Sequence, residues 1–584
     1  MGGEIAPTAD TVVELVRQQA ARCGEKVAFS FSHCGDGRDG DQLTYRELDV
    51  RARAIGAALQ ERGADGARVL VVCGPGLDGI AGVLGCWYAG AVAVPVPQRV
   101  GPWLSAVIAD ARPGFAVASP ELPRSVRVAV EALAESVRWC CTAEGDAGAW
   151  AAPGVDSDSV ALISYAAGSK HCPRGVVVTH ENVMVNLDAM AAAGWGGSRD
   201  VAVCWLPTHH PVGLLGGVLA TVHAGASAVL LSESAFVAQP MCWWEAISRW
   251  RATVTLAPEW AYRVCVQRST PAQRAGLDVS SLSTAIVGTG PVRAATMAAF
   301  ADAFAPAGFR AEAFVPVYGR PETTLLVCGG SDKAAPVVCH VDRAGLASGW
   351  ALDTAPVDPE AVAVVGCGRP RQQVVIVDPD TRVQCGPDEV GEIWVWGAPR
   401  QTDRIFEAFL AGSGEGPFLR TGDRGFLRGG EVFVVGRCAD LVVLGGLHYY
   451  PGELEAAVAD CHAVLLTGRG VAFADESERL VIVHEVRCPP GETELAALVQ
   501  VIQSALSESS GVQADSILLV SPMQLPSTEQ GQIRRAACRW LYLDGDLDTV
   551  AQWHAPGVTQ STRAANVVEF TEGVIARRHR ISHL

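Results

Sequence analysis

The stretch from Ser164 to His180, SYAAGSKHCPRGVVVTH, has the outline of a phosphate-binding loop. It places glycines, small residues, a proline and a basic residue between two apolar runs. Such loops hold phosphate oxygens through backbone N–H groups, hydroxyls and a cation. However, Ala166 and Ala167 stand where hydroxyls would help, and Lys170 and His171 stand where such loops are usually small. The sequence therefore raises the question of whether this loop still binds a triphosphate.

Two later segments also combine residue types that suit a nucleotide. VPVYGRPETT joins an aromatic ring, a glycine and a carboxylate, which can recognise a base, allow close backbone approach and bind a hard cation. FLRTGDRGFLRGGEVFVVGR supplies Asp423, which suits paired hydroxyl donors, and Arg437, whose fork suits phosphate. Taken alone, each segment has a plainer interpretation: a strand end with a solvated Glu322, and a β-turn aspartate with a surface arginine.

The elements that must position these residues follow from the apolar pattern. Short runs rich in Val, Ala and Leu alternate with longer helix-like segments, which predicts a parallel-rich sheet covered by helices. The clearest runs are RVLVVCG, VAVCWLP, ASAVLLS, ATVTLAP and STAIVGTG. After about Pro370 the strands shorten and turn signals increase, which indicates a β-rich subdomain, and the last stretch returns to α+β. We predict an α/β fold with a boundary near Arg437 to Asp440.

Composition limits the class of protein. At 584 residues the chain exceeds the size of a single core, and 49% hydrophobic with 19% charged residues indicates a folded globular protein. The formal net charge of −17 disfavours nucleic acid as a partner, because no basic excess exists to neutralise phosphates. The 18 cysteines include no C-x-x-C pair with metal-ligand spacing, which fits a reducing, cytoplasmic location.

One uncharged span, Pro211 to Ser232, approaches membrane-spanning length. Its Gly216-Gly217 pair, His223 and the HAGASAVLL break favour a short buried helix followed by a buried strand. The N-terminus carries acidic residues early and lacks the apolar core of a signal peptide. We therefore expect neither a membrane span nor secretion.

Taken together, the motifs resemble those of the adenylate-forming superfamily, which includes acyl-CoA synthetases, and most closely its fatty acyl-AMP ligase branch. The resemblance runs from LTYRELDVRARAIGAAL and CWYAGAVAVPVP through to LPSTEQGQIRRAA. It implies a large N-terminal domain, residues 1–438, that binds adenylate and carboxylate and has a β-rich subdomain at about 365–438. It also implies a small, mobile α+β C-terminal domain, residues 439–584, that rotates between an adenylating and a thioester-forming pose.

The resemblance assigns roles within the second segment. Tyr318 would stack on the purine, Gly319 would allow close approach, Glu322 would lie near magnesium and Thr323 would face phosphate.

In the same way, Asp423 would bind the ribose hydroxyls and Arg437 would reach ribose or phosphate. Gly446 would line the thiol's channel, although a simple strand turn at Gly445 and Gly446 is a serious alternative. His210, in WLPTHHPVGLLGG, would border the acyl pocket, where a structural role is equally compatible with the sequence.

Departures from the family pattern fall on the adenylation step. Gly168 and Ser169 of the phosphate loop persist and Arg174 replaces its lysine, but the hydroxyl and glycine pattern is broken. In the C-terminal signature, Gln532 stands where the family has a lysine between the carboxylate and the α-phosphate. A preorganised ammonium stabilises the charge that develops during adenylation, and removing one such donor typically costs roughly 10²- to 10³-fold in rate.

The sequence therefore predicts an acyl-CoA ligase-like enzyme specialised for the second half-reaction, acyl-AMP plus CoA giving acyl-CoA plus AMP. A separate adenylating ligase would then supply the acyl-AMP. A carrier-protein phosphopantetheine is the alternative acceptor. Two other hypotheses stay open: a complete ligase that uses ATP and Mg²⁺, with another cation in place of the lysine, and a non-catalytic module that binds an adenylate or a partner.

Overall fold

The computed structural model describes residues 9–32, 40–134, 136–165, 175–288, 290–330, 334–396, 406–444, 447–459, 461–527, 533–556 and 558. Up to residue 330, helices and strands alternate along most of the chain. These elements are α1 Val12–Cys23, β1 Val27–Phe31, β2 Gln42–Thr44, α2 Tyr45–Glu61, β3 Arg68–Val72, α3 Asp78–Tyr88, β4 Val92–Val96, α4 Pro102–Ala111, β5 Phe115–Ala118, α5 Arg124–Leu133, β6 Arg138–Cys141, β7 Val160–Ser164, β8 Val176–Thr179, α6 His180–Ala192, β9 Val201–Cys204, α7 Ala220–Ala224, β10 Ser227–Leu230, α8 Glu233–Ala238, α9 Met241–Trp250, β11 Val254–Pro258, α10 Glu259–Gln267, α11 Pro271–Ala275, β12 Thr284–Gly288, α12 Ala294–Phe304, β13 Phe314–Pro316, β14 Tyr318–Gly319 and β15 Leu326–Cys328.

Two helix-covered sheets form the frame of this part. One has the order β13-β12-β11-β9-β10-β1-β2 and the other β6-β5-β3-β4-β7-β8. Their strands pair in parallel except for the edge strands β2 and β8. The strands are almost wholly buried, because helices cover both faces of such sheets. The predicted runs RVLVVCG, VAVCWLP, ASAVLLS, ATVTLAP and STAIVGTG form β3, β9, β10, β11 and β12, as expected.

The uncharged span at Pro211 also behaves as predicted. A π-helical stretch at Val212–Leu219 leads through α7 into the buried strand β10. Among the residues that the structure describes, no helix is long and apolar enough to cross a membrane.

An antiparallel, β-rich part follows. Its elements are β16 Val338–Asp342, α13 Arg343–Ala347, β17 Ala361–Val365, β18 Val374–Val377, β19 Gly391–Trp396, β20 Phe406–Ala408, β21 Phe418–Arg428 and β22 Glu431–Arg437. The main sheet has the order β18-β19-β21-β20, with β22 paired to β21. The long hairpin β21–β22 carries residues of the candidate site.

The C-terminal part has its own cores. Its elements are β23 Val442–Leu444, β24 Leu447–Tyr449, α14 Pro451–Ala459, β25 Leu465–Ala474, β26 Leu480–Val486, α15 Glu492–Ser510, β27 Ser516–Val520, α16 Arg535–Leu543 and β28 Thr549–His554. The sheet β25-β26-β27-β28 packs one face against α14 and α15 and the other against α16. The α/β class with a large N-terminal and a small C-terminal domain is thus confirmed.

Candidate functional site

A tight connection between β14 and β15 carries the first group of predicted site residues. Gly319 must be a glycine here, because a Cβ atom would lie 1.7 Å from the carbonyl oxygen of Leu325. Gly319 thus permits a close approach of the neighbouring segment of the same connection, and its predicted approach to a nucleotide stays a prediction. Thr323 is buried, and its hydroxyl donates to the Arg320 carbonyl oxygen at 2.9 Å.

The next residue, Thr324, is held in an unusual conformation. Its φ of 71° and ψ of −63° define a γ-turn, which the Leu325 N–H closes by donating to the Thr323 carbonyl oxygen at 2.9 Å. For a β-branched residue this backbone is strained, and such strain clusters at functional sites. The connection therefore sets Glu322 and Thr323 in fixed positions next to Tyr318.

The hairpin β21–β22 supplies the second group. From its turn as far as Gly425, which pairs with Val434, the register of the hairpin is regular. A β-bulge then adds one residue to β22, so Asp423 lies opposite Arg437 instead of Gly436. Bulges re-aim side chains and are common beside active sites. Here the bulge produces the pair on which the predicted ribose and phosphate contacts depend.

Tyr318 and Asp423 meet although they are 105 residues apart in the chain. The Tyr318 hydroxyl donates to Asp423 Oδ2 at 2.8 Å, and Arg437 Nε lies 3.2 Å from Asp423 Oδ1. Both Tyr318 and Asp423 are buried, whereas the Arg437 side chain is 57% exposed. Burial and the neighbouring Asp423 carboxylate raise the pKa of Tyr318 well above its usual value, so its hydroxyl stays a donor.

Arg320 completes this cluster, and the sequence did not indicate it. Its Nε and Nη2 donate to the two carboxylate oxygens of Glu322 at 3.2 and 3.1 Å, and its Nη1 donates to Asp423 Oδ2 at 2.8 Å. Burial would raise the pKa of Glu322, but the Arg320 charge and hydrogen bonds outweigh burial and lower it. Glu322 is therefore ionised, and each of its two oxygens accepts a hydrogen bond from Arg320.

This pairing does not fit the metal role that the resemblance implies for Glu322. Both of its carboxylate oxygens accept hydrogen bonds from a guanidinium that already carries the compensating charge. Across the ranges described above, no group of three His, Cys, Asp or Glu side chains could hold a metal ion. We therefore derive no step that passes through a divalent cation.

His210 lies at a helix start. Its Nδ1 accepts from the N–H of Val212 at 3.2 Å, and its own N–H donates to the Pro207 carbonyl oxygen at 3.0 Å. These contacts organise the turn before the π-helical stretch. They agree with the structural interpretation of this histidine, and the acyl-pocket role stays a prediction.

Five predicted positions lie outside the described residues: Gly168, Ser169, Arg174, Gly446 and Gln532. The two ends of the phosphate loop are described, and Asp110 joins them. Its Oδ2 accepts from the Tyr165 hydroxyl at 2.6 Å and from the Gly175 N–H at 3.3 Å. Asp110 is thus a second residue that sequence reasoning missed, because only the fold brings α4 against β7 and β8.

The fold is that of an α/β protein with a large N-terminal and a small C-terminal domain, and the charged cluster lies between the β14–β15 connection and the β21–β22 hairpin. Residues 16–401 match the family of AMP-binding enzymes, and this chain belongs to that family. Residues 439–552 match the AMP domain described as Disco-interacting protein 2-like.

Relatives identify the kind of ligase. The chain is 34% identical to the medium-chain-fatty-acid–[acyl-carrier-protein] ligase JamA of Moorena producens over 94% of this chain and 97% of that one. It is 29% identical to the long-chain-fatty-acid–AMP ligase FadD32 of Mycolicibacterium smegmatis over 93% and 95% of the two chains. A solved fatty acyl-adenylate ligase from Legionella pneumophila, in complex with acyl adenylate and pyrophosphate, superposes with a TM-score of 0.71 at 30% identity, covering 94% and 98%. The protein is therefore a fatty acyl-AMP or acyl-CoA ligase-like enzyme, as its sequence predicted.

Proposed function

We propose that this protein catalyses the thioester-forming half-reaction: an acyl-AMP and the thiol of coenzyme A give acyl-CoA and AMP. The observation that carries this proposal is a contrast. The Tyr318, Asp423 and Arg437 side chains form one connected cluster, whereas the sequence has Gln532 at the position of the family's adenylation lysine.

The two half-reactions ask for different groups. Adenylation concentrates charge on the α-phosphate and the departing pyrophosphate, so it depends on preorganised cations. In thioester formation the thiolate attacks the acyl carbonyl carbon, a carbon–sulfur bond forms, and the carbon–oxygen bond to phosphate breaks with AMP as leaving group. This step needs adenylate binding and thiol access, and the thiol proton passes to solvent.

Each retained residue has a role in that step. Asp423 accepts from the ribose hydroxyls beside the Tyr318 hydroxyl, and the exposed Arg437 guanidinium reaches the phosphate. Gly446 leaves the thiol path free of a side chain, as in the family pattern. A carrier-protein phosphopantetheine reacts by the same chemistry as CoA.

A second function has support from the relatives. JamA is named as a ligase that loads an acyl-carrier protein, and the Legionella enzyme was solved with acyl adenylate and pyrophosphate. A complete ATP-dependent ligase for a carrier protein is therefore the competing proposal. It requires another cation, such as Arg174 or Lys170, in place of the lysine at 532.

Two assays on the full chain separate these functions. In the first, dodecanoyl-AMP is mixed with CoA or with a holo acyl carrier protein, and AMP and thioester are measured. In the second, ATP–pyrophosphate exchange is measured with dodecanoic acid. We expect AMP release with thioester formation and no exchange. Exchange as fast as thioester formation would favour the complete ligase, and neither activity would favour a binding module.

The variant Gln532→Lys sharpens the test. A lysine alone should restore little exchange, because the phosphate loop still lacks the hydroxyls of the family pattern. If ATP–pyrophosphate exchange rises by roughly 10²-fold or more, as expected for one preorganised donor, then the phosphate loop can still bind the triphosphate. Asp423→Asn is the matched loss-of-function control, since it should weaken thioester formation through adenylate binding.

A further inference from the structure

Arg320 joins two carboxylates that the resemblance assigns to different tasks. Its guanidinium donates hydrogen bonds to Glu322 through Nε and Nη2 and to Asp423 through Nη1. The side chains of Arg320, Glu322 and Asp423 are 18%, 28% and 8% exposed. A fork of this kind fixes geometry as well as charge. The arrangement is thus a preformed part of the candidate site.

Charge balance at the site is already complete. Glu322 and Asp423 contribute two negative charges, and Arg320 and Arg437 contribute two positive charges next to them. A divalent cation at Glu322 would either displace the two-point contact with Arg320 or bind the remaining lone pairs, and in both cases it would lie beside a guanidinium of like charge. The cluster therefore disfavours the metal that Glu322 would otherwise hold.

Arg320 also keeps capacity for a ligand. A guanidinium has five N–H groups, and three of them donate to Glu322 and Asp423 among the described residues. Two N–H groups on a partly exposed cation are enough for a phosphate oxygen pair. The neighbouring Arg437 guanidinium contacts the other oxygen of the Asp423 carboxylate, Oδ1.

We propose that the Arg320 guanidinium takes the place of a divalent cation beside Glu322, so that this protein binds the adenylate phosphate without Mg²⁺. The inference rests on the proposed use of an acyl-AMP and deepens it. An acyl-AMP carries one phosphate, which the two remaining N–H groups of Arg320 can hold by charge-assisted hydrogen bonds without a metal, whereas a triphosphate arrives with its own metal. Arg320 is thereby a specificity-determining residue that favours the adenylate over ATP.

The test is AMP binding to the full-length protein, measured by calorimetry in Mg²⁺ and again in EDTA. For the unaltered protein we expect the two dissociation constants to agree within about twofold. Arg320→Gln should weaken binding in EDTA at least about tenfold, the loss expected for a hydrogen bond to a charged group, and Mg²⁺ should restore part of it. The matched control is Arg428→Gln, because Arg428 bridges Asp388 and Asp353 in the same part of the chain.

A second variant covers the case in which Arg320→Gln does not fold. With Glu322→Gln, the proposal expects any change in AMP affinity to be the same in Mg²⁺ and in EDTA. If the unaltered protein binds AMP about tenfold more weakly in EDTA than in Mg²⁺, the inference is overturned. The proposed half-reaction would still stand. Tighter AMP binding by Arg320→Gln would also overturn the inference. That result would mean that Arg320 competes with the ribose hydroxyls for the Asp423 carboxylate. Absence of AMP binding under both conditions would overturn the nucleotide site and with it both proposals.

Discussion

A Cβ atom at position 319 would lie 1.7 Å from the Leu325 carbonyl oxygen and 2.7 Å from the Leu325 carbonyl carbon. These are backbone atoms just before β15, so they cannot rotate away as a flexible side chain would. The same short connection holds the strained γ-turn at Thr324. The position of Tyr318 and Glu322 relative to each other thus depends on one residue without a side chain.

Gly319→Ala should therefore destabilise the protein and misplace the site. Overpacking against backbone costs about 3 kcal/mol or more, so we expect a lower denaturation midpoint and weakened AMP binding. Chemical denaturation and calorimetry measure the two effects. Gly114→Ala is the control, because a Cβ there meets nothing within 4 Å. Equal behaviour of the two variants would contradict the packing argument.

Single residues also show what the sequence could not reveal. Tyr318, Asp423 and Arg437 were predicted because their types suit a nucleotide and their flanks resemble a family. Arg320 lies beside two of the predicted residues, yet its contact with Asp423 joins positions 103 apart. Such a contact is created by the fold of the β14–β15 connection against β21, which no local pattern encodes.

At the scale of elements, apolar runs predicted the buried strands well because helices cover both faces of the parallel sheets. β28 gives a weaker signal than these strands, because it lies at a sheet edge and its sequence, TVAQWH, has neither a continuous apolar run nor a strict alternation. Helix α15 of the C-terminal α+β part ends at Ser510, and Gly511 follows it with a φ of +65°. That glycine was the available stop signal.

Helix α6 contains a buried titratable group at its first position. His180 follows the N-cap Thr179 and is only 1% exposed, and its Nδ1 accepts from the Val12 N–H at 3.4 Å. Burial lowers the pKa of His180 from 6.5 to about 4, against a smaller raising effect of Asp156. A neutral imidazole with an acceptor at Nδ1 thus satisfies the Val12 N–H at the start of helix α1.

The stability of the protein should consequently fall on acidification. Because the folded-state pKa of His180 lies below the unfolded value, its contribution is present above pH 6.5 and is lost as the pH falls to about 4. The difference is equivalent to about 3 kcal/mol. His180→Gln should flatten the dependence of unfolding free energy on pH in this window, measured by urea denaturation. The exposed His462 gives a control variant, His462→Gln, and an unchanged slope in His180→Gln would refute the assignment.

At the scale of the whole molecule, the small domain is held against the β-rich part by a few defined contacts. Tyr450 packs in one cluster with Phe426 and Phe433. Arg343, at the start of α13, pairs with Glu453 of α14 at 2.6 Å. The domain boundary after residue 438 and the rotation of the small domain stay predictions. Such a rotation would have to break the contacts of Tyr450 and the Arg343–Glu453 pair.

Glu453→Ala should loosen this pose without unfolding the large domain. The Arg343 and Glu453 side chains are 18% and 29% exposed, so the pair lies between a surface and a buried ion pair and contributes about 1 kcal/mol. Local opening of α14 should then increase roughly five- to tenfold. Hydrogen exchange of the α14 amides measures this, with the large-domain amides as internal reference.

The matched control is Asp278→Ala, which removes a surface ion pair with Arg251. The Arg251 and Asp278 side chains are 68% and 59% exposed. It should leave exchange in α14 unchanged. Acidification should act like the variant, because burial raises the pKa of Glu453 against the lowering effect of Arg343, so the carboxylate is neutralised at a higher pH than an ordinary glutamate. Equal hydrogen exchange of the α14 amides in Glu453→Ala and in the unaltered protein would contradict this prediction. The apolar packing around Tyr450, and not the ion pair, would then hold the small domain in place.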